Sequence, residues 1–413
     1  MRRRQFIKTS ASASLLPLAG TVAFSQSKNF VNPKIQQISS RIKPITANER
    51  TERIERAREL MSTQKIDALF FEGGTSLNYF TGISWGRSER LFAMILPRKG
   101  ELQYIAPKFE ESRAQEQVGG ARLLTWEEHE SPYALTHQIL KELDIAGEAL
   151  GIEETTRDFV VEGITNEMPS LNLVSGTPVT AGCRSVKSAH ELELMQIAND
   201  ITRKVFQSSL PSLKEGMTER EFGSIISKLF SDFGVGGGAL VLFGEASAHP
   251  HGLVKEHRLQ ENQIVLIDGG CSVEGYSSDV TRTTVFGKPS DKMKSIWSIV
   301  RQAQDAGLAA AKPGAPAETI DAAARNVISN TGYGPNYKYF THRLGHGIGM
   351  DGHEWYYLVR GNTRPAETNN TFSNEPGIYI PGEFGIRLED EMLITENGAK
   401  LMLPQAESLE NIF

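Results

Sequence analysis

The sequence predicts two domains, an α/β domain over residues 48–185 and an α+β domain over residues 186–413. Three observations lead there. The chain has 413 residues, more than one typical domain holds. From residue 49 to about residue 180, helical and strand-like patterns alternate. Beyond Gly216 the texture changes to glycine-rich turns and strand-like runs, and six of the nine histidines fall between His249 and His353. The composition, 39% hydrophobic and 23% charged, excludes a disordered chain, a fibre and a multi-span membrane protein. A net charge of −6 argues against nucleic acid as a partner, and two cysteines rule out a disulfide framework.

The elements follow in chain order. Residues 1–25 read as an export signal: Arg2, Arg3, Arg4 and Lys8, a small and apolar run to Phe24, and a small-x-small cleavage site at Ala23-Phe24-Ser25. The apolar run is too short for a membrane span, so the mature chain is expected to have no transmembrane segment. Arg3-Arg4-Gln5-Phe6-Ile7-Lys8 resembles the twin-arginine pattern, which implies the twin-arginine export machinery as a partner and a periplasmic or exported protein. A basic amphipathic helix or uncleaved anchor is the alternative. Residues 26–47, with Pro33 and Pro44, read as a linker.

The spacing then predicts a charged amphipathic helix over 49–64. Short buried strands follow over 67–71, 91–96, 102–105 and 149–152, with helices over 109–117, 133–143 and 157–168. Ser188-Ala189-His190-Glu191 makes a capping box for a long helix whose apolar stripe is Leu194, Ile197, Ile201 and Val205. The Gly234-Val235-Gly236-Gly237-Gly238 run follows a helical pattern and lacks an acidic ribose partner, so it reads as a turn rather than a dinucleotide loop. Cys183 and Cys271 read as free buried thiols.

Chemistry gathers in four short pieces. An apolar run from Ile264 to Ile267 ends in Asp268, and a charge at the end of a buried strand is costly unless it is paired or bound to a cation. Asp279 follows eleven residues later, in Ser278-Asp279-Val280-Thr281-Arg282-Thr283. A turn near Gly275-Tyr276 would set the two aspartates side by side, where they repel unless one protonates or a cation lies between them. His342 and His346 have the spacing of a zinc-protease helix, but Arg343 replaces the required glutamate and glycines flank His346. Glu375 precedes Pro376-Gly377, and Glu389 follows Arg387 by two. Singly, a strand-end aspartate is usually solvated and a glutamate before Pro-Gly is usually a turn residue. Together, Asp268, Asp279, His346, Glu375 and Glu389 form an oxygen-rich set that favours manganese and admits iron, cobalt or zinc. Four acids exceed the need of one ion and suit two divalent metal ions.

This ordered series resembles the pita-bread metallopeptidases, the family of methionine aminopeptidase, aminopeptidase P and prolidase, from about Ser188 onward. The resemblance implies a pita-bread catalytic domain in which Asp268 is the terminal ligand of one ion, Asp279 and Glu389 bridge, and His346 and Glu375 hold the second. It further implies substrate-facing His251 and His353, a supporting His342, and Arg387 as in the proline-specific branch. Residues 48–185 resemble that branch's smaller creatinase-type domain, through Ser76-Leu77-Asn78-Tyr79-Phe80-Thr81-Gly82 and Arg184-Ser185-Val186-Lys187-Ser188. A homodimer carries over by analogy only.

The function implied is metal-dependent hydrolysis of the bond between an N-terminal residue and proline, by an Xaa-Pro aminopeptidase or dipeptidase acting on small peptides. Glu375 would be the general base, His251 and His353 would stabilise the oxyanion or hold the proline, and Arg387 would orient Glu389. The rivals are a metal-dependent lyase or C–N hydrolase on the same fold and a non-catalytic binding protein; the complete ligand set argues against the last. One departure stands out. After His353-Glu354 the proline-specific branch often has a small residue and proline, whereas this chain has Trp355-Tyr356-Tyr357, aromatics expected to narrow the substrate pocket.

Overall fold

The computed structural model describes residues 38 and 40–413 apart from 146–148. The export signal and most of the linker therefore lie outside the described residues. Among the described residues, no helix is long and apolar enough to cross a membrane.

The first domain is a six-stranded mixed sheet with helices on both faces. Its strands are β1 (Ala68–Glu72), β2 (Ala93–Pro97), β3 (Gln103–Pro107), β4 (Arg122–Trp126), β5 (Ala149–Ile152) and β6 (Asn172–Ser175), in the order β4-β3-β2-β1-β5-β6. Its helices are α1 (Ala47–Gln64), α2 (Thr75–Thr81), α3 (Glu111–Val118), α4 (Pro132–Glu142), α5 (Asp158–Glu167) and α6 (Thr177–Arg184). The pleat sends alternate residues of β1 to opposite faces. Leu69 and Phe71 pack with Ala57 and Met61 of α1, while Ala68 and Phe70 pack with Ile139 of α4 and Val160 of α5. Burial on both faces makes β1 a continuous apolar run, which is why the sequence reveals it. The sequence reading lacked β4 and β6, the two edges. Their residues are mixed in polarity and mostly part-exposed, so they leave little pattern to read.

The second domain pairs helices with sheets twice. The helix α7 (Ala189–Ser209) starts at the expected capping box: the Glu191 N–H donates to Ser188 Oγ at 3.2 Å, and the Ser188 N–H donates to the Glu191 carboxylate at 2.6 Å. Its stripe of Leu194, Ile197, Ile201 and Val205 is fully buried. With α8 (Glu219–Asp232) it covers the strands β7 (Gly236–Phe243), β8 (Gln263–Val273) and β10 (Val280–Phe286), with β9 (Tyr276–Ser277) paired to β8. The helices α9 (Asp291–Ala310) and α10 (Ala317–Ile328) pack on the other half. That half is a sheet of β11 (Gly345–Gly347), β12 (Glu354–Leu358), β13 (Thr371–Asn374), β16 (Asp390–Thr395) and β17 (Gly398–Leu401), beside a hairpin of β14 (Gly377–Ile380) and β15 (Phe384–Arg387). The glycine run read as a turn is divided: Gly234, at φ 76°, makes the turn after α8, whereas Gly236–Gly238 open β7. Gly237 lies against the Phe230 ring and the Gly270 carbonyl, where a Cβ has no room, so the glycine serves close packing.

Two buried ionic clusters join the domains. In one, Arg53 of α1 donates to Glu191 at 2.9 Å and to the Tyr276 hydroxyl at 2.7 Å, and Tyr276 donates to Glu191 at 2.6 Å. In the other, Glu354 accepts from Arg184 at 2.6 Å and from Lys187 at 2.9 Å. Arg184 also reaches Asp351 at 2.5 Å, and Thr75 Oγ1 donates to Asp351 at 2.6 Å. The near end of the linker is docked too: Ile38 and Ile45 are buried in the α7 core, and Arg41 pairs with Asp200 at 2.9 Å.

Burial alone would raise the Glu354 carboxyl, but Lys187 and Arg184 outweigh it and hold the group at about 2 instead of 4.5. A carboxyl lowered in this way favours the fold only when ionised. The cluster therefore contributes about 3 kcal/mol that is fully present above pH 4.5 and fades as the pH falls toward 2. Glu354→Gln should cost about 3 kcal/mol in urea unfolding at neutral pH and remove this acid-sensitive component. Equal stability of the two proteins at neutral pH would contradict the assignment.

Candidate metal centre

The site forms where the two sheets of the second domain meet. Strand β8 carries Asp268, paired in register with Thr281 of β10, and Asp279 stands just before β10. The opposite sheet supplies His346 from β11, Glu375 from the end of β13, and Glu389 from the turn between β15 and β16. A Cβ at Gly345 would run into the Ser373 carbonyl, so glycine lets β11 come close enough to bring His346 inward.

Ligand atoms of Asp268, Asp279 and Glu389 lie within 4.8 Å of one another, and so do those of His346, Glu375 and Glu389. Glu389 belongs to both sets. A third set, Asp279, His346 and His353, meets the same limit. These residues line a cavity of 150 Å³ together with His251, His342 and Arg387. All the residues singled out in the sequence therefore meet in one place, apart from Trp355. The aromatics do not narrow this pocket: Tyr356 is packed in the core, and Trp355 lines a neighbouring cavity. Strand alternation is the reason, because Glu354 and Tyr356 turn inward and Trp355 turns away.

Burial, together with the neighbouring acids, pushes Asp279 and Glu389 well above the usual carboxylate range. Burial raises Glu375 to about 7, with Arg387 opposing the shift and Asp268 adding to it. His346 is pushed down to about 4 by burial and by His353, so the ring is neutral. Its Nδ1 lies 3.0 Å from the Gly347 carbonyl, which can only accept, so the proton sits on Nδ1. Its Nε2 then presents a bare lone pair to Glu375 at 3.4 Å and Asp279 at 3.8 Å. Lone pair facing carboxylates is repulsive unless a proton or a cation stands between them. The donor set thus fits divalent metal ions.

Other side chains hold the acids in place. Arg387 donates to Asp268 at 2.6 Å, to Thr281 Oγ1 at 3.1 Å and to the Tyr379 hydroxyl at 2.9 Å. It also reaches the Pro250 carbonyl at 3.1 Å, which fixes the segment bearing His251. Thr281 Oγ1 donates to Glu389 at 2.5 Å, and Ser373 Oγ to Glu375 at 3.1 Å. His342 is pushed down to about 3 by burial and by Arg387. With Nδ1 donating to the Arg343 carbonyl at 2.8 Å, its Nε2 accepts from Tyr379 at 2.8 Å, a supporting place beside Glu375, whose carboxylate lies 3.9 Å from Nδ1. His353 stacks on His346 with centroids 3.7 Å apart. Sequence reasoning missed Tyr379, Ser373 and Glu391, whose carboxylate accepts the Asp279 N–H at 2.6 Å. Each lies within four residues of Glu375 or Glu389, but only the fold shows that it turns into the site.

Comparison with known proteins agrees with this geometry. Residues 193–396 match metallopeptidase family M24, and residues 53–186 match the creatinase/prolidase N-terminal domain. An uncharacterized peptidase of Schizosaccharomyces pombe is 36% identical over 389 residues, covering 89% of this chain and 83% of the relative. Among solved structures, a prolidase from Thermococcus sibiricus superposes with a TM-score of 0.79 at 32% identity, covering 86% of this chain and 96% of its own. The dipeptidase PepE from Mycobacterium ulcerans gives 0.83 at 30% identity, with 89% and 98% covered. An Xaa-Pro dipeptidase from Bacillus anthracis gives 0.76 at 28% identity, with 86% and 97% covered. The chain is a metallopeptidase of family M24 with a creatinase-type N-terminal domain.

Proposed function

We propose that this metallopeptidase hydrolyses the bond between an N-terminal residue and proline, using two divalent cations of which manganese suits the acid-rich donor set best. The observation that carries the cation sites is the bare Nε2 of His346 facing Glu375 and Asp279. The prolyl specificity draws support from structural neighbours described as prolidases and Xaa-Pro dipeptidases, and from the creatinase/prolidase N-terminal domain. In this reading Asp268, Asp279 and Glu389 would hold one ion, and His346 and Glu375, with Glu389, would hold the other. When bound, the cations supply Lewis acidity that lowers the pKa of water and polarises a carbonyl.

The chain's own residues do the rest. Glu375, steadied by Ser373, takes a proton from the attacking water and delivers it to the leaving nitrogen. His251 and His353 line the same pocket and offer N–H donors to the tetrahedral oxyanion or pack on the proline ring. Arg387 keeps Asp268 oriented directly and Glu389 through Thr281. We also propose that the Met1–Ser25 pattern directs twin-arginine export to the periplasm, a reading supported by the sequence alone.

With manganese present, mass spectrometry should show cleavage of Ala-Pro or Ala-Pro-Ala and none of Ala-Ala-Ala, and metal stripping should abolish it. Equal cleavage of Ala-Ala-Ala would overturn the prolyl specificity. Glu375→Gln should lower kcat by roughly 100-fold or more; near-normal turnover would remove Glu375 as the base. Because Glu375 is raised to about 7, it is largely protonated at pH 6, and cation binding must displace that proton. Calorimetry in two buffers of different ionisation enthalpy should therefore find proton release at pH 6 that shrinks by pH 8.5. No release at pH 6 would contradict this.

A further inference from the structure

Past His353 the metal pocket adjoins a second cavity of 420 Å³ that lies between the two domains, and His353 lines both. On the first-domain side it is walled by Thr155, which follows β5, and by Thr177 and Ala181 of α6, which follows β6. The strands β5 and β6 are parallel neighbours. The space outside the carboxyl ends of parallel strands is where α/β sheets take ligands. On the other side, Trp355 and Tyr357 of β12 both reach the cavity, two residues apart on one strand.

Most charged groups around the cavity already have partners, although the buried Arg184 Nε makes no hydrogen bond. Arg184 pairs with Glu354 at 2.6 Å and Asp351 at 2.5 Å, and Glu154 accepts from Thr180 Oγ1 at 2.5 Å. This paired floor is the interdomain clamp itself, so the cavity has a fixed base. The surfaces left to meet a ligand are the indole of Trp355, 39% exposed, the phenol of Tyr357, and small side chains. Size points the same way. Small-ligand sites fill about 300–1,000 Å³, so the 420 Å³ cavity is large enough to receive a bulky group and the 150 Å³ metal pocket is not.

We infer that the interdomain cavity is a side-chain subsite that seats a large apolar or aromatic residue of the peptide, with Trp355 and Tyr357 as its specificity-determining walls. The inference rests on the prolyl-peptide reading above. Two residues of a substrate could supply that side chain, the one before the scissile bond or the one following proline.

The test compares kcat/KM for Ala-Pro, Phe-Pro and Ala-Pro-Phe in the wild type, in Thr177→Trp, which fills the cavity, and in Trp355→Ala, which removes a wall. In both variants the ratio of one bulky peptide to Ala-Pro should fall roughly tenfold, mainly through KM. A fall for Phe-Pro places the residue before the bond there, and a fall for Ala-Pro-Phe places the residue after proline. Trp355→Ala, at a part-exposed position, keeps the test valid if Thr177→Trp does not fold. Unchanged ratios with Ala-Pro still cleaved would overturn the subsite alone. A wild type that cleaves none of the three would overturn the prolyl reading and the subsite with it.

Discussion

Four carboxylates and one imidazole lone pair are packed into a small buried space, and this like-charge crowding is the constraint on which the rest of the structure depends. The only cation bonded directly to the acids, among the described residues, is Arg387 on Asp268. In an isolated chain such a cluster relieves itself by protonation, which is what the raised Asp279, Glu375 and Glu389 express. A fold stabilised by burial alone would not assemble this group. Its presence is the physical reason to regard the centre as built for added positive charge.

The scaffold is arranged to hold the acids against their mutual repulsion. Each sheet contributes ligands, so the centre exists only while the two halves of the second domain stay docked. Around them, short polar links hold the carboxylates of Glu389 and Glu375, through Thr281 and Ser373, and Glu391 holds the backbone of Asp279. Farther out, the fully buried Arg282 ties the Glu389 carbonyl at 2.7 Å, the Asp390 carboxylate at 2.6 Å and the Ile412 carbonyl at 3.0 Å. The last residues of the chain thereby brace the strand that carries a shared ligand. The first domain acts through Arg184, which together with Lys187 at the start of the second holds Glu354 and so fixes the residue next to His353. One ionic cluster thus joins the domain interface to the wall of the reaction pocket.

How much of this the sequence discloses depends on how local the cause is. Asp268 and Asp279 are legible because two strands and a turn bring them together within a dozen residues. The α7 capping box and its buried stripe are equally local. The acids from Glu375 and Glu389 could be placed only by resemblance, since nothing nearby says that their sheet closes over β8. Tyr379 and Ser373 went unread for the same reason. Edge strands β4 and β6 are hidden from the sequence because partial exposure erases their apolar pattern, and the glycines of β7 look like a turn because close strand packing and a loop use the same residue. The neighbourhood of Trp355 is clear from sequence, but the side of β12 on which it emerges is not, so only the fold shows that it lines the cavity beside the metal pocket rather than that pocket itself.

The central claim, that buried charge crowding is resolved by bound cations, is tested most directly by anomalous X-ray diffraction from crystals equilibrated with manganese. The account predicts two anomalous peaks, one among Asp268, Asp279 and Glu389 and one among His346, Glu375 and Glu389, with Glu389 and Asp279 reaching both. The absence of any peak at these carboxylates, or manganese bound only elsewhere on the protein, would contradict it.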